Sequence, residues 1–390
     1  RIIPMAIIVT GEIGLYYLLF KWLTSAFVYI EFILHLSAFF IILNIVRTSR
    51  HLSSDLMWII MIMLFPIFGT LVYIIMFITL IFGKTFRNII TEQKKAAPYY
   101  KQDETVIQEI QKENADYVSQ LAFLHQEGFP FYRNTDFSFY SPCEEGFERM
   151  IKELKKAEKY IFMEYFIIEE GIMWNSILSI LEEKVKQGVE VRVMYDGMCC
   201  LMLLPYHYPQ KLENMGIRCQ MFSPIKPVLS THQNYRDHRK VTVIDGHTAF
   251  TGGVNLADEY INRKERFGHW KDTAIMIKGD AVKSFTMMFL QMWDAASSKS
   301  KNEENYEQYL VPADYKLPEG YAGNGFVMPY ADSPLDEEQV GEQVYLDILN
   351  QAKSYVHIIT PYLILDDEMK NAMAYAAKRG IDVKIIMPHI

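Results

Sequence analysis

The first 83 residues consist of long apolar runs with few charges, whereas the rest of the chain mixes apolar and polar positions as a globular protein does. Residues 56–82 contain no charged side chain, and a helix of that length can cross a bilayer with Pro66 inside it. Residues 22–46 are nearly as apolar, and residues 2–20 could form a third span or a signal-like segment. The pattern predicts a transmembrane region of two to three helices in residues 1–83.

Charged residues follow this region, and residues 84–135 are predicted to form a helical connector. The pattern then changes within residues 136–295. A buried strand is predicted at 159–168, an amphipathic helix at 174–188 and an alternating strand at 189–197. This order is typical of a βαβ unit in an α/β fold.

The same order returns near the end of the chain, with a strand at 354–365, a helix at 368–380 and a strand at 381–388. Two units of one kind predict two homologous halves. Residues 296–325 are rich in Ser, Asn, Glu, Gly and Pro and are predicted to be a linker. Residues 326–390 would then be the start of a second half that this sequence leaves incomplete.

Candidate chemistry lies in one stretch of the first half, "DHRKVTVIDGHTAFTGGVN". His238 and Lys240 are two residues apart on a predicted strand, so their side chains project from the same face. Asp245 lies in the hairpin turn that follows, where it could orient the loop without touching the histidine. Gly252–Gly253 would let backbone amides approach an anion, and Asn255 adds an amide donor.

These residue types fit chemistry at phosphorus. A neutral imidazole such as that of His238 is a competent nucleophile near neutral pH. The ammonium group of Lys240, together with amide donors, would stabilise charge on phosphoryl oxygens. The four cysteines show no metal-binding spacing, and the arrangement predicts neither a metal nor a cofactor.

Net charge argues against a nucleic-acid partner. Residues 1–83 hold four of the 39 basic and three of the 47 acidic residues, so the remainder carries 35 basic against 44 acidic side chains. Phosphate-backbone binding usually needs a basic surface. Basic residues after the last span favour a cytoplasmic-facing catalytic part, although Arg47 and Arg50 in the preceding loop divide the evidence.

The segment "HRKVTVIDGHTAFTGGVNLADEY" resembles the phospholipase D superfamily signature, and in particular that of bacterial cardiolipin synthases. The stretches "FPIFGTLVY", "KDTAIMIKGDAV", "GFVMPYADSP" and "ITPYLI" support the resemblance along essentially the whole chain. It implies N-terminal transmembrane helices followed by two phospholipase D-like α/β halves, each with one H-x-K-x₄-D motif. By resemblance, His238, Lys240 and Asp245 are the motif residues, and Lys240 and Asn255 are phosphate ligands.

The resemblance implies a multi-pass cell-membrane enzyme that joins two phosphatidylglycerol molecules into cardiolipin and glycerol through a phosphatidyl-histidine. Phosphatidylglycerol and other anionic phospholipids would be its partners. His238 would be the nucleophile or its acid–base counterpart. Two alternatives stay open: a phospholipase D-type hydrolase with the same first step, and a non-catalytic lipid-binding membrane protein.

The sequence ends before a second motif, so we expect the chain as given to be inactive alone. Several polar residues near the first motif are weaker candidates, because each is common in turns or at strand ends. They are Asp196, His232, Asn234, Arg236, His247, His269 and the Trp270–Asp272 segment.

Overall fold

The computed structural model describes residues 10–389 apart from 12, 16, 19, 22–26, 49–51, 83, 114–121, 225–235, 298–304, 313–314 and 334–337. The predicted positions His232 and Asn234 therefore lie outside the described residues. The helices before Thr85 belong to one compact unit, and the described residues from Thr85 onward belong to a second.

The described part of the first unit includes the apolar helices α1 (Phe27–Thr48), α2 (Leu52–Leu64) and α3 (Pro66–Phe82). Within the described residues, only the Tyr29–Thr48 part of α1 is long and apolar enough to cross a membrane. The other two are shorter.

The prediction of one continuous helix over residues 56–82 is wrong, because the chain bends at Phe65 between α2 and α3. Proline at the first position of α3 has no backbone N–H, and its ring disfavours helical geometry in the residue before it. Gly69 then packs against the preceding helix, where a Cβ atom would lie 2.9 Å from the carbonyl oxygen of Met61. Proline and glycine together produce the bend.

The second unit is built around a seven-stranded sheet in the order β1-β7-β6-β5-β2-β3-β4. Strands β2, β3 and β4 are parallel, whereas β5, β6, β7 and β1 pair antiparallel with their neighbours. The strands are β1 (Thr135–Tyr140), β2 (Tyr160–Tyr165), β3 (Glu190–Asp196), β4 (Arg218–Phe222), β5 (Lys240–Ile244), β6 (Thr248–Gly252) and β7 (Ala274–Gly279).

Helices cover both faces of this sheet. The helices described in this unit include α4 (Lys84–Ala96), α5 (Glu104–Glu113), α6 (Cys143–Leu154), α7 (Ile172–Lys186), α8 (Tyr208–Asn214), α9 (Val282–Ala296), α10 (Val340–Gln351) and α11 (Asp367–Lys378). One core lies under α6, α7 and α8, and the other lies under α9. The first predicted βαβ unit is therefore found as β2, α7 and β3, with the parallel pairing expected of it.

Part of the predicted linker belongs to the core of the first half. Tyr306 and Tyr309 lie in a 3₁₀ helix and are almost fully buried. The hydroxyl of Tyr309 accepts a hydrogen bond of 2.6 Å from Arg192 on β3, and its carbonyl accepts one from Tyr160. Two large aromatic side chains in a polar stretch explain why this part packs on the sheet.

A second strand–helix–strand unit follows, formed by β8 (Tyr355–Ile359), α11 and β9 (Asp382–Ile386). Its strands pair in parallel, as those of the first unit do, with Tyr355 opposite Asp382. The predicted order of elements is confirmed in both places. Homology of the two halves stays a prediction.

Candidate active site

The candidate site forms where β2 and β3 end and β5 begins. Asp196, the last residue of β3, is fully buried and accepts hydrogen bonds from the backbone amides of Met198 and Cys199. Its other oxygen accepts from the amide of Asp237, at 3.3 Å. One carboxylate thus ties the loop after β3 to the residue before His238. The sequence made Asp196 only a weaker candidate, because such a residue at a strand end is often part of a turn.

His238 and Lys240 are brought together as predicted, and both side chains lie close to the ring of Phe166. The side chain of His238 is exposed, and its ring centroid lies 4.5 Å from that of Phe166. Lys240 is buried, with its ammonium nitrogen 5.1 Å from the centroid of the same ring. That nitrogen also donates a 2.5 Å hydrogen bond to the main-chain carbonyl of His238. Phe166, which the sequence did not single out, is the surface on which both side chains rest.

Burial lowers the pKa of both groups. Partial desolvation of the ring, and then the charge of Lys240, lower the pKa of His238, so its imidazole is neutral at pH 7. Burial lowers the pKa of Lys240 to about 8, although the charges of Asp237 and Asp272 act in the opposite direction. Lys240 therefore remains mostly protonated at pH 7, with a neutral histidine beside it.

Asp245 lies at the other end of β5 from this pair. Asp245 occupies a turn and has a positive φ of 52°, as the predicted hairpin requires. Its carboxylate accepts three backbone hydrogen bonds of 2.8 Å, from the amides of Glu158, Lys159 and Tyr160 at the start of β2. The carboxylate holds the beginning of one strand against the end of another.

Gly252, Gly253 and Asn255 have structural partners, and the anion contacts of Gly252 and Asn255 stay predictions. The amide of Gly253 donates to the carbonyl of Thr273, and a Cβ atom on Gly252 would lie 2.4 Å from that same oxygen. These glycines allow β6 to approach the chain before β7, so the prediction that the Gly253 amide faces an anion is wrong. The amide group of Asn255 is buried and bonds Ile167 and the hydroxyl of Tyr260.

The other weak candidates divide between the site and the scaffold. Arg236 approaches Asp196 at 3.6 Å. The negative charge of Asp272 acts to raise the pKa of Lys240, and its carboxylate lies 2.2 Å from where a Cβ of Gly253 would be. His247 stacks on the ring of Tyr315 at 5.4 Å and belongs to the scaffold.

A family model described as "Cardiolipin synthase, PLD-like domain" matches residues 150–293 and 345–389. A protein named cardiolipin synthase from Alkalihalophilus pseudofirmus is 32% identical over 367 residues, which are 91% of this chain and 69% of the relative. The chain belongs to the cardiolipin synthase family.

One further sequence and one solved structure are also similar to this family member. An uncharacterised protein of Streptococcus mutans serotype c is 49% identical over 352 residues, 90% of this chain and 74% of the relative. The crystal structure of phosphatidylserine synthase from Haemophilus influenzae has a TM-score of 0.47 at 16% identity, covering 69% of this chain and 65% of that one.

The family match includes the residues of the candidate site. Its first segment contains β2 to β7 with His238 and Lys240, and its second contains β8, α11 and β9. A mixed α/β, phospholipase D-like fold is therefore confirmed for this cardiolipin synthase family member, and the family supports a phosphatidyltransferase. Among the residues that the structure describes, the one group of acidic side chains close enough to share a cation consists of half-buried Glu342 and exposed Asp366 and Glu368, all outside the first half.

Proposed function

We propose that this protein is a cardiolipin synthase, which transfers a phosphatidyl group from one phosphatidylglycerol molecule to another and releases glycerol. The observation that carries the proposal is the pairing of an exposed, neutral His238 with a buried, protonated Lys240 on one aromatic surface. Family membership supplies the substrate class, because the relatives named cardiolipin synthase share this part of the chain.

In the first step, a ring nitrogen of His238 attacks phosphorus and forms a phosphatidyl-histidine. The bond from phosphorus to the glycerol oxygen breaks, and a second acid protonates that oxygen. Lys240 stabilises the negative charge that develops on the phosphoryl oxygens, and no water need reorganise around it because it is already desolvated. His238 cannot supply the proton itself, since it must be unprotonated to attack.

In the second step, the same acid–base group removes a proton from a hydroxyl of the second phosphatidylglycerol. That oxygen attacks phosphorus, the bond to His238 breaks, and cardiolipin forms. The resemblance of the two βαβ units supports placing this second group in a second motif of the full-length protein. Asp245 takes no direct part in this scheme, since its carboxylate is occupied by three amides at the far end of β5.

We place the protein in the cell membrane as a multi-pass protein, with its catalytic part facing the cytoplasm. The apolar helix α1 and the further apolar segments α2 and α3 support this location. A lipid substrate is then supplied by the same bilayer that holds the helices.

The test is a transfer assay on the full-length protein in detergent with phosphatidylglycerol. His238→Ala should abolish cardiolipin formation, with a loss on the order of 10²–10⁴-fold or greater, while the protein stays folded. His247→Ala is the matched control, because this ring packs on Tyr315 and is expected to leave the rate unchanged. Near-normal cardiolipin formation by His238→Ala would overturn the assignment, and phosphatidic acid as the main product would indicate a hydrolase instead.

A further inference from the structure

A buried carboxyl group without a conventional partner lies behind the candidate site. Glu164, on β2, is completely inaccessible to solvent. Neither of its oxygens has a hydrogen-bond partner in good geometry among the described residues, and the same is true of Oδ2 of the buried Asp237. Unsatisfied buried acceptors are costly, so such a group in a folded protein demands an explanation.

Glu164 and the catalytic pair lie on opposite sides of one extended segment. His238 and Lys240 project toward Phe166, whereas Arg239 projects the other way, 3.8 Å from Glu164 and 3.4 Å from the carbonyl of Met288 on α9. Residues two apart in an extended chain share a side, so Asp237 faces the side of Arg239. The backbone amide of Arg239 also donates to the carboxylate of Asp237.

This cluster contains one cation and two carboxyl groups. With both carboxyl groups ionised, it would carry an uncompensated negative charge in a buried place, which is strongly unfavourable. Burial, and then the negative charge of Asp237, raise the pKa of Glu164 well above its ordinary value, and Arg239 offsets only part of this. A proton on Glu164 neutralises the cluster and changes two facing acceptors into a donor and an acceptor.

We propose that Glu164 is a positioning residue that acts in its uncharged carboxyl form. It donates to Asp237, and Asp237 with Arg239 fixes the backbone of residues 237–239 from behind. That backbone carries His238 and contributes the carbonyl to which Lys240 donates. The inference rests on the proposed function for the roles of His238 and Lys240, but the state of Glu164 can be tested without any assay of lipid transfer.

Thermal unfolding of the full-length protein in detergent, measured between pH 4 and pH 8, tests the charge state. A carboxyl whose pKa is raised by folding loses stability as pH rises above its ordinary value of 4.5. Glu164→Gln cannot ionise, so its unfolding temperature should match wild type near pH 4 and exceed it increasingly at higher pH.

Glu153→Gln is the matched control, because Glu153, on helix α6, is also a buried glutamate. Although burial opposes it, the hydrogen bonds from Lys278, at 2.7 Å, and from Lys156 lower the pKa of Glu153. Its stabilisation is therefore present at neutral pH and lost on acidification, so Glu153→Gln should be less stable than wild type at pH 7. If Glu164→Gln behaves like Glu153→Gln, the uncharged form of Glu164 is refuted.

The positioning role is tested by Glu164→Gln and Glu164→Leu, read by kcat and by the rate at which diethyl pyrocarbonate acylates His238. Gln keeps a donor to Asp237, so both rates should stay within about threefold of wild type. Leu fills the space without a donor, so kcat should fall on the order of 10–100-fold with little change in KM, and the acylation rate should change. Equal rates in Leu and wild type, or equal losses in Gln and Leu, would overturn the proposal. Absence of cardiolipin from wild type would refute the proposed function, and acylation would still decide the role of Glu164.

Discussion

Replacement of Asp245 by asparagine separates a role in folding from a role in chemistry. Its two carboxylate oxygens accept three backbone hydrogen bonds of 2.8 Å, two on Oδ1 and one on Oδ2. Asparagine offers one acceptor oxygen, and its NH₂ group would face the amide of Glu158. The change therefore removes one charge-assisted bond, worth about 1–3 kcal/mol at a partly exposed position, and lowers the unfolding temperature by roughly 2–10 °C.

Transfer by the folded enzyme should persist in Asp245→Asn. Asp245 lies five positions after Lys240, which is about 16 Å along a strand at the usual rise per residue. Thermal unfolding and initial transfer rates, measured well below the unfolding temperature, give the two readouts. Asp367→Asn is the control, because Asp367 is exposed and its loss should change stability by about 0.5 kcal/mol or less. A wild-type unfolding temperature combined with a rate loss beyond roughly tenfold would refute this reasoning.

Two further predictions concern the pH dependence of kcat/KM and the replacement of two glycines by alanine. The proposed reaction needs neutral His238 and protonated Lys240, whose pKa is about 8, so kcat/KM should fall above pH 8 and below the lowered pKa of His238. A profile that is flat well above pH 8 would contradict the role of Lys240. Gly252→Ala should lower stability by about 1–3 kcal/mol in urea unfolding, because its φ is 152° and the new Cβ would meet the carbonyl of Thr273. Gly253→Ala should cost less, since its Cβ meets a side-chain carboxylate, and equal costs would refute the comparison.

The apolar N-terminal region shows what hydropathy predicts and what it leaves open. The absence of charge in residues 56–82 predicted apolar helices, and the structure has them. Hydropathy contains no information about the direction in which one helix follows another, however. The bend between α2 and α3 depends on close contact between Gly69 and Met61. Pro66 was visible in the sequence, but proline occurs in both straight and bent apolar helices.

The candidate site divides in the same way. The two-residue spacing of His238 and Lys240 is a local property of an extended chain, so the sequence predicted their common side. The amide of Gly253 is occupied by Thr273, twenty residues further along, and only the pairing of β6 with β7 reveals this. Phe166 was likewise hidden, because its proximity to His238 depends on the register of β2 against β5.

That register gives a physical reason for the length of the H-x-K-x₄-D spacing. Asp245 bonds the amides at the start of β2, and the antiparallel pairing then places Lys240 opposite Tyr165 at its end. Phe166 follows Tyr165 immediately, and its ring lies next to the side chains of His238 and Lys240 at the start of β5. One residue more or fewer between Lys240 and Asp245 would turn the histidine and lysine toward α9 and bring Arg239 to the open side. In the proposed reaction Asp245 therefore acts indirectly, because from the far end of β5 it fixes the side of the strand on which His238 lies.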